Sequence, residues 1–160
     1  MKRQLGNMIE RLVKAAVSSP AQSDAVAAVE ADVLMEIRTL RSRLAELSGS
    51  LVSTRDGLLV AHDLPTAIEP TGMAALTASE LALSHRIALT SHEGAFHEVV
   101  ICSGGGYVVI YSAGPYACLT VLTGPDVNVG RLHLESRPVA RRVADHLAAA
   151  SGGPQRPADV

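Results

Sequence analysis

The chain has 160 residues and a formal net charge of −2 at pH 7, so it lacks the basic excess that favours binding to a phosphate backbone. It contains three Tyr, one Phe and no Trp, which leaves few rings to stack on bases or on flat ligands. Both facts argue against a nucleic-acid partner. Apolar residues make up 48% of the chain, enough for an ordered core, and the length favours one domain with tails.

The amino-terminal residues lack the pattern of a secretory signal, because charged and polar residues interrupt the apolar positions that follow Met1. No stretch approaches the roughly 20 apolar residues of a membrane-spanning helix, so we predict no integral membrane segment. Cys102 and Cys118 lie in apolar runs without the spacing of metal ligands. We interpret them as buried, reduced thiols and expect a cytoplasmic protein.

Residues 1–24 are predicted to form an amino-terminal extension, in which a short amphipathic helix over 1–17 is followed by a linker. A longer helix is predicted over 25–47, with Asp24 as its N-cap and Gly49 as its stop. Its apolar residues follow a three-four spacing that places them on one stripe: Val26, Val29, Val33, Ile37, Leu40, Leu44 and Leu47.

A hairpin is predicted next, because two short apolar runs, 51–54 and 58–61, flank Arg55-Asp56-Gly57. Asp-Gly between such runs is a strong hairpin signal, since Gly accepts a positive φ without steric cost. Pro65 ends the second strand, and helical character returns over residues 70–91.

Three further strands are predicted over 96–103, 107–112 and 116–123, joined by glycine-containing turns that make neighbouring strands antiparallel. These strands are nearly continuous apolar runs, so helices should cover both faces of the sheet.

The last predicted helix spans 127–149 and contains Pro138, which should kink it. Residues 150–160 are expected to be a disordered tail. The predicted domain over 25–149 is therefore α/β, with a five-stranded, mainly antiparallel sheet covered by helices on both faces. The order of its elements is αββαβββα, preceded by the extra amino-terminal helix.

The helix over 70–91 carries two apolar stripes when it is drawn at about 100° per residue. One stripe must cover the sheet, and the other needs a partner, because it would otherwise be an exposed apolar patch. A second copy of the chain across a two-fold axis is the simplest partner, although a long loop or the first helix is an alternative cover. The narrow stripe contains Met73, Leu76, Leu83 and Ile87; the broad stripe contains Ala74, Ala78, Leu81, Ala82, Ala88 and Leu89. The sequence leaves open which of them faces the sheet.

No catalytic constellation is found in the sequence. The glycine turn over 103–106 lacks the GK[ST] of phosphate-binding loops and leads into a strand, and Cys102 and Ser103 have no nearby base. The histidines belong to no HExxH or cysteine-rich motif: His62, His85, His92, His97, His133 and His146. We therefore predict a protein that is not an enzyme and has no metal and no cofactor.

Taken in order, several segments resemble the Roadblock / dynein light-chain family: the hairpin over 51–61, the strands within 99–112 and 117–123, and the helix start over 128–135. The likeness covers about residues 30–149. It depends on the succession of the Asp-Gly hairpin, the glycine turn and the Asn-x-Gly helix start. The chain looks most like actinobacterial members, whose genes commonly lie beside those of small Ras-like GTPases.

The resemblance implies a non-enzymatic homodimer that serves as a regulator or scaffold, binds a Ras-like small GTPase and modulates its GTP hydrolysis in the manner of a GTPase-activating protein. It implies dimerisation through the middle helix and the edge strand after it. The implied interface residues are Met73, Leu76, Glu80, Leu83, Ile87, His97, Val99 and Ile101. Ser79 and Arg86, polar residues that divide the two stripes, are candidate contacts for the GTPase.

A second class of function stays open, a small-molecule-sensing domain of a signalling system. Layers of helix and sheet often enclose a ligand between them. A pocket with convergent polar groups would favour this alternative, and a filled core would oppose it.

Overall fold

The computed structural model describes residues 20–150. These residues form three helices and five strands in the order αββαβββα, so the predicted fold class and element order are confirmed. The predicted helix over 1–17 and the tail after Ala150 lie outside the described residues. In chain order the elements are α1 Pro20–Arg43, β1 Leu47–Thr54, β2 Leu59–Asp63, α2 Pro70–Ser91, β3 Glu98–Ser103, β4 Gly106–Ala113, β5 Ala117–Thr123 and α3 Val129–Ala150.

The five strands form one sheet in the order β2-β1-β5-β4-β3, and every neighbouring pair is antiparallel. The Asp-Gly hairpin joins β1 to β2 as predicted. The N–H of Gly57 donates to the carbonyl of Thr54 at 3.0 Å, and its φ of +85° explains why glycine occupies this turn. The order leaves β2 and β3 at the two edges of the sheet.

Helices cover both faces of the sheet, as the continuous apolar strands predict. α1 and α3 pack against each other on one face, and α2 lies on the other. The larger core lies under α1 and α3 and includes Ile37, Leu40, Leu119, Leu132 and Val139. The cluster under α2 is smaller: Leu81, Ile110 and Cys118, with Phe96, Val99 and Val108 half-buried around them. Among the helices that the structure describes, none has the length and apolar character needed to cross a membrane.

The prediction for the first long helix is wrong at both ends. α1 begins at Pro20 rather than at residue 25, because proline is tolerated in a first turn and the alanine-rich residues after it favour helix. Asp24 therefore lies within α1 and is not its N-cap. At the other end, Leu47 and Gly49 belong to β1. Gly49 lies where the β1–β5 register shifts, and a Cβ there would come within 2.9 Å of Cδ of Pro65.

The two cysteines have different surroundings. Cys118 is buried under α2 as predicted, but Cys102 is exposed, so the prediction of two buried thiols is wrong for Cys102. The reason is that Cys102 lies on β3, an edge strand that the helices leave partly uncovered.

Candidate functional site

The broad apolar stripe of α2 faces the sheet. Ala74, Ala78 and Leu81 are buried there, together with Thr77, whose hydroxyl donates to the carbonyl of Met73 at 3.0 Å. Small side chains at three of these positions let the helix approach the strands closely. Two members of the stripe depart from the pattern, since Ala82 and Leu89 are exposed.

The narrow stripe of α2 points away from the sheet. Leu76, Leu83 and Ile87 are 69%, 54% and 58% exposed, and we call these three side chains the α2 ridge. Met73 is half-buried at the border of the ridge. Glu80 lies on the same side of the helix and accepts a hydrogen bond from the Ser84 hydroxyl at 2.9 Å. The ridge is an apolar surface with no neighbour among the described residues that buries it.

β3 provides a second open feature, because it pairs with β4 on one side only in the described sheet. The N–H of Ser112 donates to the carbonyl of His97 at 2.8 Å. Since hydrogen-bonded and non-hydrogen-bonded pairs alternate along an antiparallel ladder, the backbone groups of Glu98, Val100 and Cys102 point toward the open edge. Such an edge can pair with a strand of another chain.

The side chains of β3 divide between the two faces of the sheet. Val99 is half-buried beneath α2, and Ile101, on the same face, is 41% exposed. Val100 points to the opposite face and is 45% exposed, and His97 precedes the strand in an exposed position. Since α2 contacts β3, the structure brings the predicted interface residues together on one helix and the strand beside it. Their contact with a partner stays a prediction.

The two candidate GTPase contacts lie on the outer side of α2. Ser79 is exposed and its hydroxyl donates to the carbonyl of Ala75 at 2.8 Å. Arg86 is exposed and forms no ion pair with any residue of the described range. The two residues are seven positions apart, so they lie two turns apart on one side of the helix.

A cavity of about 550 Å³, which sequence reasoning missed, lies between α3 and the β3–β4 end of the sheet. Most of the polar groups around it come from α3 and from the beginning of β3. They belong to His97, Glu98, Tyr111, His133, Arg137 and Arg141. The four-residue spacing of His133, Arg137 and Arg141 was the signal that could have revealed a shared side of the helix.

Glu98 is at the centre of a polar network in this cavity. Its carboxylate accepts hydrogen bonds from Nε of Arg137 at 2.9 Å and from Nη2 of the same guanidinium, which holds the pKa of Glu98 below its usual value. Nδ1 of His133 lies 3.5 Å from Glu98 Oε1 and 2.9 Å from the Tyr111 hydroxyl. Burial raises the pKa of Tyr111, so this phenol stays neutral. Arg137 is therefore held in a fixed position by an ionised carboxylate.

The remaining titratable groups do not assemble into a metal centre. Within residues 20–150, no three side chains of His, Cys, Asp or Glu are placed to hold one ion. His85 instead packs on the ring of Phe96, with 5.3 Å between the ring centroids. The features that stand out are the α2 ridge, the open β3 edge and the polar cavity beside α3.

The chain is similar to known proteins both in sequence and in fold. A model of the Roadblock/LC7 domain matches residues 34–123, which is more than half of the chain. A protein of Methanocaldococcus jannaschii is 25% identical over 111 residues, 69% of this chain and 93% of that protein. The Roadblock/LC7 domain from Streptomyces avermitilis superposes with a TM-score of 0.67 at 21% identity, over 71% of this chain and 96% of that one. Myxococcus xanthus MglB superposes with a TM-score of 0.69 at 15% identity, over 81% and 95% of the two chains. The chain belongs to the Roadblock/LC7 domain family.

Proposed function

We propose that this protein is a non-enzymatic, homodimeric regulator that binds a Ras-like small GTPase in the cytoplasm. The observation that carries the proposal is the α2 ridge. Three large apolar side chains are exposed on a helix whose other stripe already covers the sheet, and a patch of this kind marks a site of protein association. The class of partner is taken from the family resemblance of the sequence, as is modulation of GTP hydrolysis.

Homodimerisation uses both open features of the molecule at once. If the open edge of β3 pairs with β3 of a second copy across a two-fold axis perpendicular to the sheet, the two sheets become continuous. That axis keeps both α2 helices on the same face, where the α2 ridges can cover each other. The interface then comprises Met73, Leu76, Glu80, Leu83 and Ile87 from α2, with His97, Val99 and Ile101 from β3 and the residue before it.

The paired α2 helices then offer a polar surface to the GTPase. Ser79 and Arg86 are exposed on one side of each helix, next to the ridge rather than within it. A guanidinium without an ion pair among the described residues is suited to an acidic group of a partner. We assign the GTPase contact to this side of α2.

The test is to mix the purified protein with the Ras-like small GTPases of the same organism, each loaded with GDP or with a non-hydrolysable GTP analogue. We expect co-elution in gel filtration in at least one nucleotide state. Arg86→Glu should weaken the complex, whereas Arg38→Glu, the same change at an exposed position of α1 on the other face, should not. Failure to co-elute in every nucleotide state would contradict the proposal, and GTP hydrolysis measured alongside reports any modulation.

The alternative function, small-molecule sensing, concerns a different face of the molecule. The layer between α2 and the sheet is filled by Ala74, Ala78 and Leu81, which argues against a ligand there. The cavity beside α3, in contrast, has the convergent polar groups that a ligand site requires. This observation keeps the alternative as a second candidate.

A further inference from the structure

We propose that the cavity between α3 and the β3–β4 end of the sheet binds a small organic oxyanion, a carboxylate or a phosphate ester. This site lies on the face opposite the α2 ridge. It develops the second candidate function and stands whether or not the protein binds a GTPase.

The charge of the cavity is the first reason. Two arginines and one glutamate line it, so its net charge is positive even when His97 and His133 are neutral, and each imidazole adds a positive charge when protonated. The chain as a whole has a net charge of −2. A concave, positively charged site on a negatively charged chain concentrates anions locally.

The arrangement of cations on α3 is the second reason. His133, Arg137 and Arg141 are spaced four residues apart and form one row, and like charges at this spacing destabilise a helix. Glu98 compensates Arg137 through two hydrogen bonds. Arg141 forms no ion pair or hydrogen bond with any described residue, although its side chain lines the cavity. A bound anion would supply the missing counter-charge.

The site is also organised before a ligand arrives. Glu98, whose side chain is only 14% exposed, occupies Nε and Nη2 of Arg137 and leaves Nη1 to donate to a ligand. The whole guanidinium of Arg141 is available for a second, charge-assisted contact. Leu134 and Pro138 supply an apolar wall for the carbon part of the ligand, and about 550 Å³ is within the usual size of a small-molecule site.

The experiment titrates the full chain with inorganic phosphate, glycerol phosphate and succinate, and follows the arginine side-chain and histidine ring signals by NMR. We expect saturable shifts of the His133 and Arg137 signals with at least one probe. Binding of the phosphates alone identifies a phosphate ester, and binding of succinate alone identifies a carboxylate. Arg141→Gln should weaken binding at least about ten-fold, the loss of one charge-assisted hydrogen bond.

The matched control is Arg38→Gln, which removes the same charge from an exposed position of α1 and should leave affinity unchanged. Because Arg141 is exposed and its charge repels Arg137, Arg141→Gln should melt at or slightly above the wild-type temperature, which separates lost binding from lost folding. Two results would overturn the proposal: no saturable shift with any of the three probes, or equal loss of affinity in the two variants.

Discussion

Replacement of Leu83 by Ala should weaken the proposed homodimer without unfolding the protomer. Leu83 is 54% exposed, so about half of its side chain is left for a partner helix to bury. Complete burial of a leucine contributes about 1.5–3 kcal/mol, so this half contributes about 0.8–1.6 kcal/mol in each copy. A two-fold interface contains the residue twice. The loss of about 1.6–3.2 kcal/mol raises the Kd of the dimer by about one to two orders of magnitude.

Sedimentation equilibrium over a series of protein concentrations measures this Kd directly. The control is Leu134→Ala, which removes the same atoms from α3, where the residue is 73% exposed on the other face of the sheet. We expect Leu134→Ala to dimerise like the wild type. Leu83 lies outside both core clusters. The free energy of unfolding of Leu83→Ala, measured in urea on the dilute, monomeric protein, should therefore stay close to the wild-type value.

Either of two results would refute this reasoning. A wild-type protein that sediments as a monomer at every concentration would show that the α2 ridge is not a dimer contact. Equal Kd values for Leu83→Ala and Leu134→Ala would show that dimerisation uses another surface.

Two further predictions concern the stability of the protomer. Gly106 has a φ of +133°, and a Cβ there would overlap the carbonyl oxygen of Thr123. Gly106→Ala should therefore lower the free energy of unfolding, measured by urea denaturation, by about 1–3 kcal/mol. Gly104→Ala in the same turn, where a Cβ meets nothing within 4 Å, should leave it unchanged, and equal effects of the two changes would contradict the explanation. Because the pKa of Glu98 is lower in the folded protein than in the unfolded chain, its contribution to stability is present above the unfolded pKa and is lost as the pH falls through the folded pKa. Glu98→Gln should therefore lower the free energy of unfolding at neutral pH. Between pH 7 and pH 3, the free energy measured by chemical unfolding should fall less steeply in this variant than in the wild type. Glu93→Gln is the control. If the free energy of unfolding of Glu98→Gln fell with pH as steeply as that of the wild type, the stabilising role of the Glu98 carboxylate would be refuted.

Local signals in the sequence predicted most of the fold. The Asp-Gly hairpin and the glycine turns depend on residues that are neighbours in the chain, and they were enough to predict the element order and the antiparallel pairing. The carboxyl end of α1 could not be predicted in this way, because Leu44 and Leu47 fit a helical stripe equally well. Only the pairing of Leu47 with Thr123 of β5, far along the chain, decides that Leu47 belongs to a strand.

The candidate sites also divide into features that neighbouring residues predict and features that depend on contacts distant in the sequence. The two stripes of α2 were visible in the sequence because they are helical neighbours, but their orientation depends on which stripe fits the sheet. Ala74 and Ala78 permit the close approach that Leu76 and Leu83 would prevent. The polar cavity was missed because its central contact joins Glu98 of β3 to Arg137 of α3. Glu98 and Arg137 are far apart in the sequence, so no local pattern predicts their contact.

The packing of α1 against α3 brings the two ends of the described range, Pro20 and Ala150, to the same end of the helix pair. His146 lies 3.4 Å from Glu36, and Arg43 lies 3.7 Å from Glu135, so the two helices run antiparallel and Pro20 and Ala150 are at the same end of the pair. Extrapolation from these two contacts at 1.5 Å per residue puts Pro20 about 12–18 Å beyond the level of Ala150 along the helix pair. A short linker could therefore join them at a small cost in loop-closure entropy, with new termini opened at the 104–105 turn. This arrangement makes the described domain suited to circular permutation, with Pro20 and Ala150 both on helices that pack on the face away from α2.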